Sequence, residues 1–236
     1  MLERNKLYLG NSLELMQELD DGSVDFLFTD PPYNISLEKS NFHTLSGGLG
    51  GRWAMQYGQA GGWDDKNFDI VGWLDIAIPK LKEGGNLVIF NDWKNMGLIA
   101  DKLTELKCKP RRCLVWEKTS VAPFNRDIMF VNAVEFALWG TKGKKWTFNR
   151  QKSNFERGIF VDNLNKPKSV YPCQKPLNLC KEIITILSKE GDLILDPFAG
   201  SGSIPLSAKL LNRDYIGMEL GEDGYTKAIK RLQDGK

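Results

Sequence analysis

The sequence predicts an α/β fold with a doubly wound, mostly parallel sheet of seven strands, one of which is antiparallel. Three observations support this prediction. Short apolar runs alternate with segments of helical spacing along most of the 236 residues, and several of the runs end at an acid or a glycine turn. The composition, 42% hydrophobic and 26% charged, is typical of a globular domain with a sizeable core. Strands that alternate with helices join through right-handed crossovers into a parallel sheet.

Each predicted strand is a short apolar run bounded by polar residues or glycine, and each predicted helix has apolar residues every three or four positions. The predicted strands are residues 6–11, 24–30, 86–92, 113–118, 133–140, 192–196 and 215–220. The predicted helices are residues 12–19, 71–81, 95–106, 175–188, 203–212 and 224–233. The strands at 113–118 and 133–140 are close enough in sequence to pair with each other, which introduces the antiparallel strand.

Two segments interrupt this alternation within a single predicted domain, residues 1–236. The first, 34–66, is too long for an ordinary connection and has seven glycines between Gly47 and Gly62. We expect it to be mobile in the absence of a ligand. The second is a basic insertion at 141–170.

Charge is distributed unevenly along the chain. Residues 102–168 contain 15 basic and six acidic residues, whereas residues 1–101 contain eight basic and 15 acidic ones. Within 141–168, aromatic residues are interleaved with eight basic ones. This combination can neutralise phosphates and stack on bases, which predicts a nucleic-acid contact. A solvated, lysine-rich surface loop is the alternative.

Several classes of protein are not expected. The sequence has no apolar run of the roughly 18 residues that a membrane helix needs, and the first residues lack the apolar region of a signal peptide. Four cysteines without a C-x-x-C pair predict reduced thiols in a cytoplasmic protein. Because His43 is the single histidine, neither a metal site nor a Ser-His-Asp centre is expected.

The run LILDPFAGSGS at 193–203 combines a buried strand, an acid and a glycine turn. Gly200 and Gly202 let the backbone approach a ligand closely where a helix begins. Glu219 ends the following strand, where a carboxylate can bind both hydroxyls of a ribose. Since Asp196 and Glu219 would repel a polyphosphate, the pattern favours S-adenosylmethionine, a cationic sulfonium, over NAD or ATP. An ordinary strand–helix–strand unit with an exposed acid is the alternative.

The tetrapeptide Asp30-Pro31-Pro32-Tyr33 directly follows a predicted buried strand. Its prolines fix φ and hold the backbone extended without N–H donors. The Asp30 carboxylate and the Pro31 carbonyl can each accept one N–H of an exocyclic amine, while Tyr33 stacks on the planar base. The tetrapeptide therefore predicts a site for a nucleobase amine, although a D-P-P sequence taken alone is more typical of a rigid turn.

With these motifs the chain resembles the DNA adenine-N6 methyltransferases of the β group of amino-methyltransferases, in which D-P-P-Y precedes F-x-G-x-G. The resemblance covers nearly the whole chain. Its further matching segments, in order, are KLYLGNSLELMQEL, EGGNLVIFND, AVEFALWG, YPCQKPLNLCKEII and YIGMEL. It implies a Rossmann-like fold and transfer of a methyl group from S-adenosylmethionine to N6 of a flipped adenine in double-stranded DNA, as in restriction–modification systems.

The resemblance also implies roles for individual residues. The catalytic residues would be Asp30, Pro31, Pro32 and Tyr33. The cofactor would be bound by Gly10, Asn11, Asp30, Gln174, Lys175, Asp196, Phe198, Ala199, Gly200, Ser201, Gly202 and Glu219. Gln174, Lys175 and Pro176 would open the helix beside the methionine carboxylate of the cofactor. The mobile loop at 34–66 would lie beside the active site and the DNA. Target recognition would fall in 141–170, with DNA contacts from Lys142, Lys144, Lys145, Arg150, Lys152 and Arg157.

By analogy, the resemblance suggests a homodimer and a partner restriction endonuclease. Three other functions remain open. Cytosine-N4 methylation uses the same geometry, but relatives with that target tend to carry Ser where this chain has Asp30. An RNA adenine methyltransferase and a non-catalytic nucleic-acid-binding protein are the other two, and the order of the motifs and the intact D-P-P-Y argue against them.

Overall fold

The computed structural model describes residues 2–34, 68–121, 127, 130–162 and 174–235, which form an eight-stranded sheet with helices on both faces. The strands are β1 (Lys6–Leu9), β2 (Val24–Thr29), β3 (Leu81–Asn91), β4 (Cys108–Lys118), β5 (Val134–Lys142), β6 (Ile159–Asp162), β7 (Leu193–Asp196) and β8 (Asp214–Glu219). The α-helices are α1 (Ser12–Leu15), α2 (Leu74–Lys80), α3 (Met96–Glu105), α4 (Leu177–Leu187), α5 (Ser203–Leu210) and α6 (Glu222–Asp234). Short 3₁₀ turns cover Met16–Glu18 and Trp93–Asn95.

The strand order is β1-β8-β7-β2-β3-β5-β4-β6. Among these eight strands only β5 is antiparallel to its neighbours, β3 and β4. The predicted fold class, a doubly wound and mostly parallel sheet with one antiparallel strand, is therefore confirmed.

The eighth strand, β6, lies inside the segment predicted to be a basic insertion. It pairs in parallel with β4, with Val115 opposite Ile159. Only Phe160 of this strand is fully buried, while Ile159 and Val161 are exposed on the edge of the sheet. A four-residue run with one buried side chain is too short to give a periodic signal, so the sequence pattern did not reveal it.

Both faces of the sheet are covered by helices. Phe26, Phe28 and Phe90 point to the face covered by α4, α5 and α6, and their rings stack in sequence. Leu27 and Ile89 point to the other face, against α2 and α3. Since both faces of the central strands are buried, these strands read as continuous apolar runs rather than alternating ones.

The parallel strands begin at one side of the sheet and end at the opposite side. The side at which they end is called the carboxyl edge. At the carboxyl edge, strands β1, β8, β7 and β2 lie side by side and end at Leu9, Glu219, Asp196 and Thr29. Because β5 runs the opposite way, its first residues lie at this edge, where Phe136 is opposite Asn91. Ligands of such sheets bind at the carboxyl edge where the strand order reverses, which is here between β7 and β2.

Some expectations concern residues outside the described ranges. They include most of the predicted mobile loop at 34–66, together with His43 and Cys173. The other three cysteines, Cys108, Cys113 and Cys180, are free thiols, as predicted. Among the described helices none has the length and apolar character needed to cross a membrane.

Truncating a core ring should cost far more stability than truncating an exposed one. Phe28 is fully buried, so Phe28→Ala should lower the free energy of unfolding by about 3–5 kcal/mol. Phe155, with 66% of its surface exposed, is the matched control, and Phe155→Ala should change it by less than about 0.5 kcal/mol. Denaturant unfolding followed by tryptophan fluorescence measures both. Equal effects would contradict the placement of β2 at the centre of the core.

Candidate active site

The D-P-P-Y segment leaves the sheet at the end of β2 and is held against the turn that follows β3. The Tyr33 hydroxyl donates a 2.5 Å hydrogen bond to Oδ1 of Asp30. The side-chain amide of Asn95 donates to the Tyr33 carbonyl at 3.0 Å and to Oδ1 of Asn91 at 2.7 Å. These contacts fix both the carboxylate and the backbone of the segment.

Lys175 lies in the same cluster as Asp30, just before α4. Its Nζ donates to Oδ2 of Asp30 and lies 3.1 Å from Oε2 of Glu135, at the start of β5. Oε1 of Glu135 in turn pairs with Lys118 at 2.7 Å. The Lys175 side chain is thus directed to Asp30 and Glu135. The reason is that an ammonium only 5% exposed is stable only beside carboxylates.

Burial and charge together determine the protonation of this cluster. Burial raises the pKa of Asp30 above its ordinary value, more than the nearby Lys175 ammonium and Tyr33 hydroxyl lower it. Burial alone would lower the pKa of Lys175, but the Asp30 and Glu135 carboxylates outweigh it and raise that pKa well above its ordinary value. Lys175 is therefore a fixed positive charge at neutral pH.

Asp196, at the end of β7, links this cluster to the glycine turn. Its side chain is 2% exposed and accepts a 2.7 Å hydrogen bond from the hydroxyl of Thr29, the last residue of β2. Burial raises the pKa of Asp196 to about 7. The residue directly before the D-P-P-Y segment therefore contacts the acid that precedes the glycine turn.

Glu219 organises the glycine turn. Its carboxylate accepts from the backbone N–H groups of Gly200 and Gly221, each at 2.8 Å. Gly200 and Gly202 have φ values of +51° and +74°, a conformation that glycine adopts without strain. The Glu219 carboxylate is thus oriented at the carboxyl edge, where its pKa is raised by burial.

Aromatic side chains support the turn on one side. The ring of Phe198 makes edge-to-face contacts with Phe68 and Trp73, at centroid distances of 5.5 and 5.3 Å. The N–H of Phe198 donates to Oδ1 of Asp196 at 3.3 Å. Phe198 is half-buried, so its position beside Asp196 is fixed while part of its surface stays accessible.

Arg231, from α6, supports the turn from below and was not identified from the sequence. Its guanidinium donates to the Ser201 carbonyl at 2.7 Å and to the hydroxyls of Ser201 and Ser203 at 3.1 Å. The Ser203 hydroxyl also donates to the Lys175 carbonyl at 2.9 Å. The available signal was the position of Arg231 on the apolar face of α6, next to Ala228 and Leu232.

The remaining predicted cofactor residues border the same edge. The Gly10 N–H donates to the Glu219 carbonyl at 2.9 Å. Oδ1 of Asn11 accepts from the Leu13 N–H at 3.0 Å, so this side chain caps α1. Gln174 precedes Lys175 and is half-buried. The structure thus brings the predicted cofactor and catalytic residues together at one edge of the sheet.

Comparison with known proteins identifies the family. The sequence profile of the DNA methylases with N6 and N4 targets matches residues 24–231. The chain belongs to this DNA methylase family. Type II methyltransferase M2.MboI of Moraxella bovis is 30% identical to it over 231 residues, which are 90% of this chain and 82% of that protein. Type II methyltransferase M2.DpnII of Streptococcus pneumoniae is 27% identical, over 98% of this chain and 91% of that protein.

Solved structures of DNA methylases agree with the fold. The crystal structure of the M1.HpyAVI–SAM complex is similar with a TM-score of 0.76 and 29% identity, covering 96% of this chain and 98% of that one. The cytosine-N4-specific PvuII DNA methyltransferase is similar with a TM-score of 0.70 and 17% identity, covering 100% of this chain and 95% of that one. The second likeness shows the fold alone.

Three of the residues predicted to contact DNA, Lys142, Lys144 and Lys145, do not share the edge of the methylase site. Nζ of Lys142 donates to the carbonyls of Ile78 and Leu81, at 3.0 and 2.7 Å, on the opposite edge of the sheet. Lys144 and Lys145 follow directly and are exposed there. Since β5 has nine residues, its two ends are roughly 25 Å apart.

Contacts from Lys142, Lys144 and Lys145 to DNA stay a prediction, and the structure places these residues at the opposite edge of the sheet from Asp30. The antiparallel direction of β5 carries the chain away from Asp30 before the basic run begins. Arg150, Lys152 and Arg157 lie on the return path towards β6 and are exposed. Of these, Lys152 is 3.7 Å from Glu182 of α4.

Asp196 should make the stability of the methylase depend on pH. Its pKa of about 7 in the folded chain lies above the ordinary value of about 4. The folded state therefore holds this proton more tightly, and its contribution to stability is lost as pH rises from about 4 to 7. Because Asn does not ionise, the free energy of unfolding of Asp196→Asn relative to the unsubstituted chain should rise by roughly 2–3 kcal/mol between pH 5 and 8.

Denaturant unfolding at a series of pH values measures this difference. Asp101→Asn, at an exposed position of α3, is the control and should leave the pH dependence unchanged. A constant difference between Asp196→Asn and the unsubstituted chain across this range would show that Asp196 is ionised throughout.

Proposed function

We propose that the chain transfers the methyl group of S-adenosylmethionine to N6 of an adenine in double-stranded DNA. The observation that carries the proposal is the contact between two adjacent strands. The amine-accepting group, Asp30, follows β2, and the acids of the cofactor site, Asp196 and Glu219, end β7 and β8. The Thr29–Asp196 hydrogen bond of 2.7 Å joins the two parts.

The chemistry of the cofactor site, which Asp196 and Glu219 border, fits a cationic cofactor. The buried Asp196 and the half-buried Glu219 flank the glycine turn, and burial raises the pKa of both acids. A bound cation favours the ionised form of such acids, which binds a sulfonium ligand but opposes a polyphosphate. The likeness to the M1.HpyAVI–SAM complex supports this choice. S-adenosylmethionine, when bound, supplies an electrophilic methyl group.

The residues of this chain orient the acceptor and take up a proton. A base in a duplex must first be flipped out of its stack to reach a buried site. Asp30 and the Pro31 carbonyl would accept the two N–H bonds of the adenine amine and Tyr33 would stack on its ring, with Pro32 shaping the turn. The nitrogen gains a methyl group and loses one proton, which Asp30 accepts. Its raised pKa makes Asp30 a better proton acceptor than an ordinary aspartate.

DNA would approach the carboxyl edge, because the flipped base has to reach Asp30. Trp93 and Lys94 are exposed on the turn after β3, and Trp93 is 64% exposed. Asn95 of the same turn holds the Tyr33 carbonyl at 3.0 Å. We therefore assign DNA contacts to this turn. Residues 141–170 remain the proposed target-recognition insertion, with contacts limited to its part nearest the carboxyl edge.

The restriction–modification setting adds proposals about partners and location. A cytoplasmic location gives access to chromosomal DNA and to S-adenosylmethionine. A homodimer and a cognate endonuclease stay predictions from the resemblance, which size-exclusion chromatography and the neighbouring genes would test.

Replacing Asp30 should abolish methylation. Asp30→Ala removes the amine acceptor, and Asp30→Asn keeps the shape but removes the charge. Both should reduce methylation by at least about 100-fold. Sequencing with base-modification detection, on DNA from cells that express each variant, measures the product and its sequence context.

The same experiment separates the rival functions. If the unsubstituted chain makes N6-methyladenine, the proposal is supported. If it makes N4-methylcytosine, the target base is cytosine and the assignment of adenine is wrong. Modified RNA without modified DNA, or no modification at all, would contradict the proposal. Thermal unfolding of both variants is the control, since Lys175 keeps Glu135 as a charged partner in each.

The assignment of DNA contacts to the carboxyl edge predicts different effects for two lysines. Lys94→Ala should weaken DNA binding and reduce the slope of log affinity against log salt by about 1. Lys144→Ala, which removes the same charge from the opposite edge, should have little effect. Fluorescence anisotropy of labelled duplex DNA over a salt series measures both. A larger loss of DNA affinity in Lys144→Ala than in Lys94→Ala would show that the insertion at 141–170 is the main DNA contact.

A further inference from the structure

Both oxygens of the Asp30 carboxylate already have donors. Oδ1 accepts from the Tyr33 hydroxyl at 2.5 Å, and Oδ2 accepts from the Lys175 ammonium. The ammonium is 5% exposed and lies 5.0 Å from the centroid of the Phe90 ring, so it is enclosed in the site. An adenine amine that is to bind Asp30 must therefore compete with a buried cation.

Glu135 offers the cation a second position. Its Oε2 lies 3.1 Å from Nζ of Lys175 but, among the described residues, has no hydrogen-bond donor with suitable geometry. Its Oε1 is fixed by the Lys118 ammonium of β4 at 2.7 Å. Glu135 is thus a partly buried carboxylate, 21% exposed, with one oxygen anchored and the other free to accept a full hydrogen bond from Lys175.

We propose that Glu135 is a positioning residue for methyl transfer, which takes the Lys175 ammonium from Asp30 when the nucleobase amine enters. Asp30 Oδ2 then becomes available to the amine. This inference rests on the proposed function, because it concerns how the same site accepts its substrate.

Charge explains why such a transfer is needed. A cation held on Asp30 would oppose the positive charge that develops on the methylated nitrogen, and it would occupy the acceptor of the amine. Moving Lys175 to solvent would take the ammonium away from both carboxylates and leave the buried Asp30 without a neighbouring cation, which is costly. A shift from one carboxylate to another within the cluster keeps the ammonium paired throughout. The antiparallel direction of β5 is what brings Glu135 to this edge.

The test compares three variants. Glu135→Gln keeps the shape but cannot hold the ammonium as an ion pair, while Glu135→Asp keeps the charge with a shorter side chain. Glu117→Gln, an exposed carboxylate near the end of β4, is the control for loss of one negative charge. Single-turnover transfer of tritiated methyl from S-adenosylmethionine to unmethylated genomic DNA gives the rate constant and the apparent KM for DNA. Calorimetry gives the Kd of the cofactor.

We expect Glu135→Gln to lower the rate constant by about 10- to 100-fold, with the KM for DNA and the Kd of the cofactor within about twofold of those of the unsubstituted chain. Glu135→Asp should recover part of the rate, and Glu117→Gln should keep all of it. An unchanged rate in Glu135→Gln would overturn the inference. So would a loss of rate that is matched by losses of cofactor affinity and thermal stability, since that result indicates a structural role.

The failure of this inference differs from the failure of the proposed function. If the unsubstituted chain methylates DNA but Glu135→Gln does so equally fast, only the role of Glu135 is overturned. If the unsubstituted chain transfers no tritium to DNA, the proposed function fails and this inference fails with it.

Discussion

The pairing of one buried lysine with two carboxylates is the interaction on which the site depends. Lys175 meets Asp30 of the segment after β2 and Glu135 of β5, so a single ammonium joins three parts of the chain. Burying an ion without a partner costs several kcal/mol, and this cost fixes the relative positions of these segments. The Ser203 hydroxyl, bound to the Lys175 carbonyl at 2.9 Å, extends the same arrangement to the glycine turn.

The sheet topology explains why two separate motifs form one site. Strands β2 and β7 are neighbours at the point where the strand order reverses, and both end at the same edge. Asp30 and Asp196 are therefore delivered to adjacent positions by two buried strands. The burial that holds these acids in place also raises the pKa of both. The same packing therefore fixes their positions and sets how readily they bind a proton.

The distribution of charge follows the same topology. The carboxyl edge collects acids that suit a cationic cofactor, whereas the basic run after β5 begins at the opposite edge, where Lys142 binds the Ile78 and Leu81 carbonyls. A basic stretch of sequence thus does not by itself place its side chains beside the methylase site. Under the proposed function, the exposed turn that contains Trp93 and Lys94 is the surface assigned to DNA, since it adjoins the D-P-P-Y segment.

Local sequence patterns alone determined the alternation of strands and helices, the D-P-P-Y segment, the glycine turn and the acid at 219, because each is a contiguous signal of apolar spacing, proline or glycine. They could not reveal β6, the support from Arg231, the edge reached by Lys142 or the role of Glu135. Lys175 and Asp30 are 145 positions apart in the sequence. Which side chains meet over such a separation depends on the strand order and on the direction of β5, and these arise only when both faces of the sheet pack.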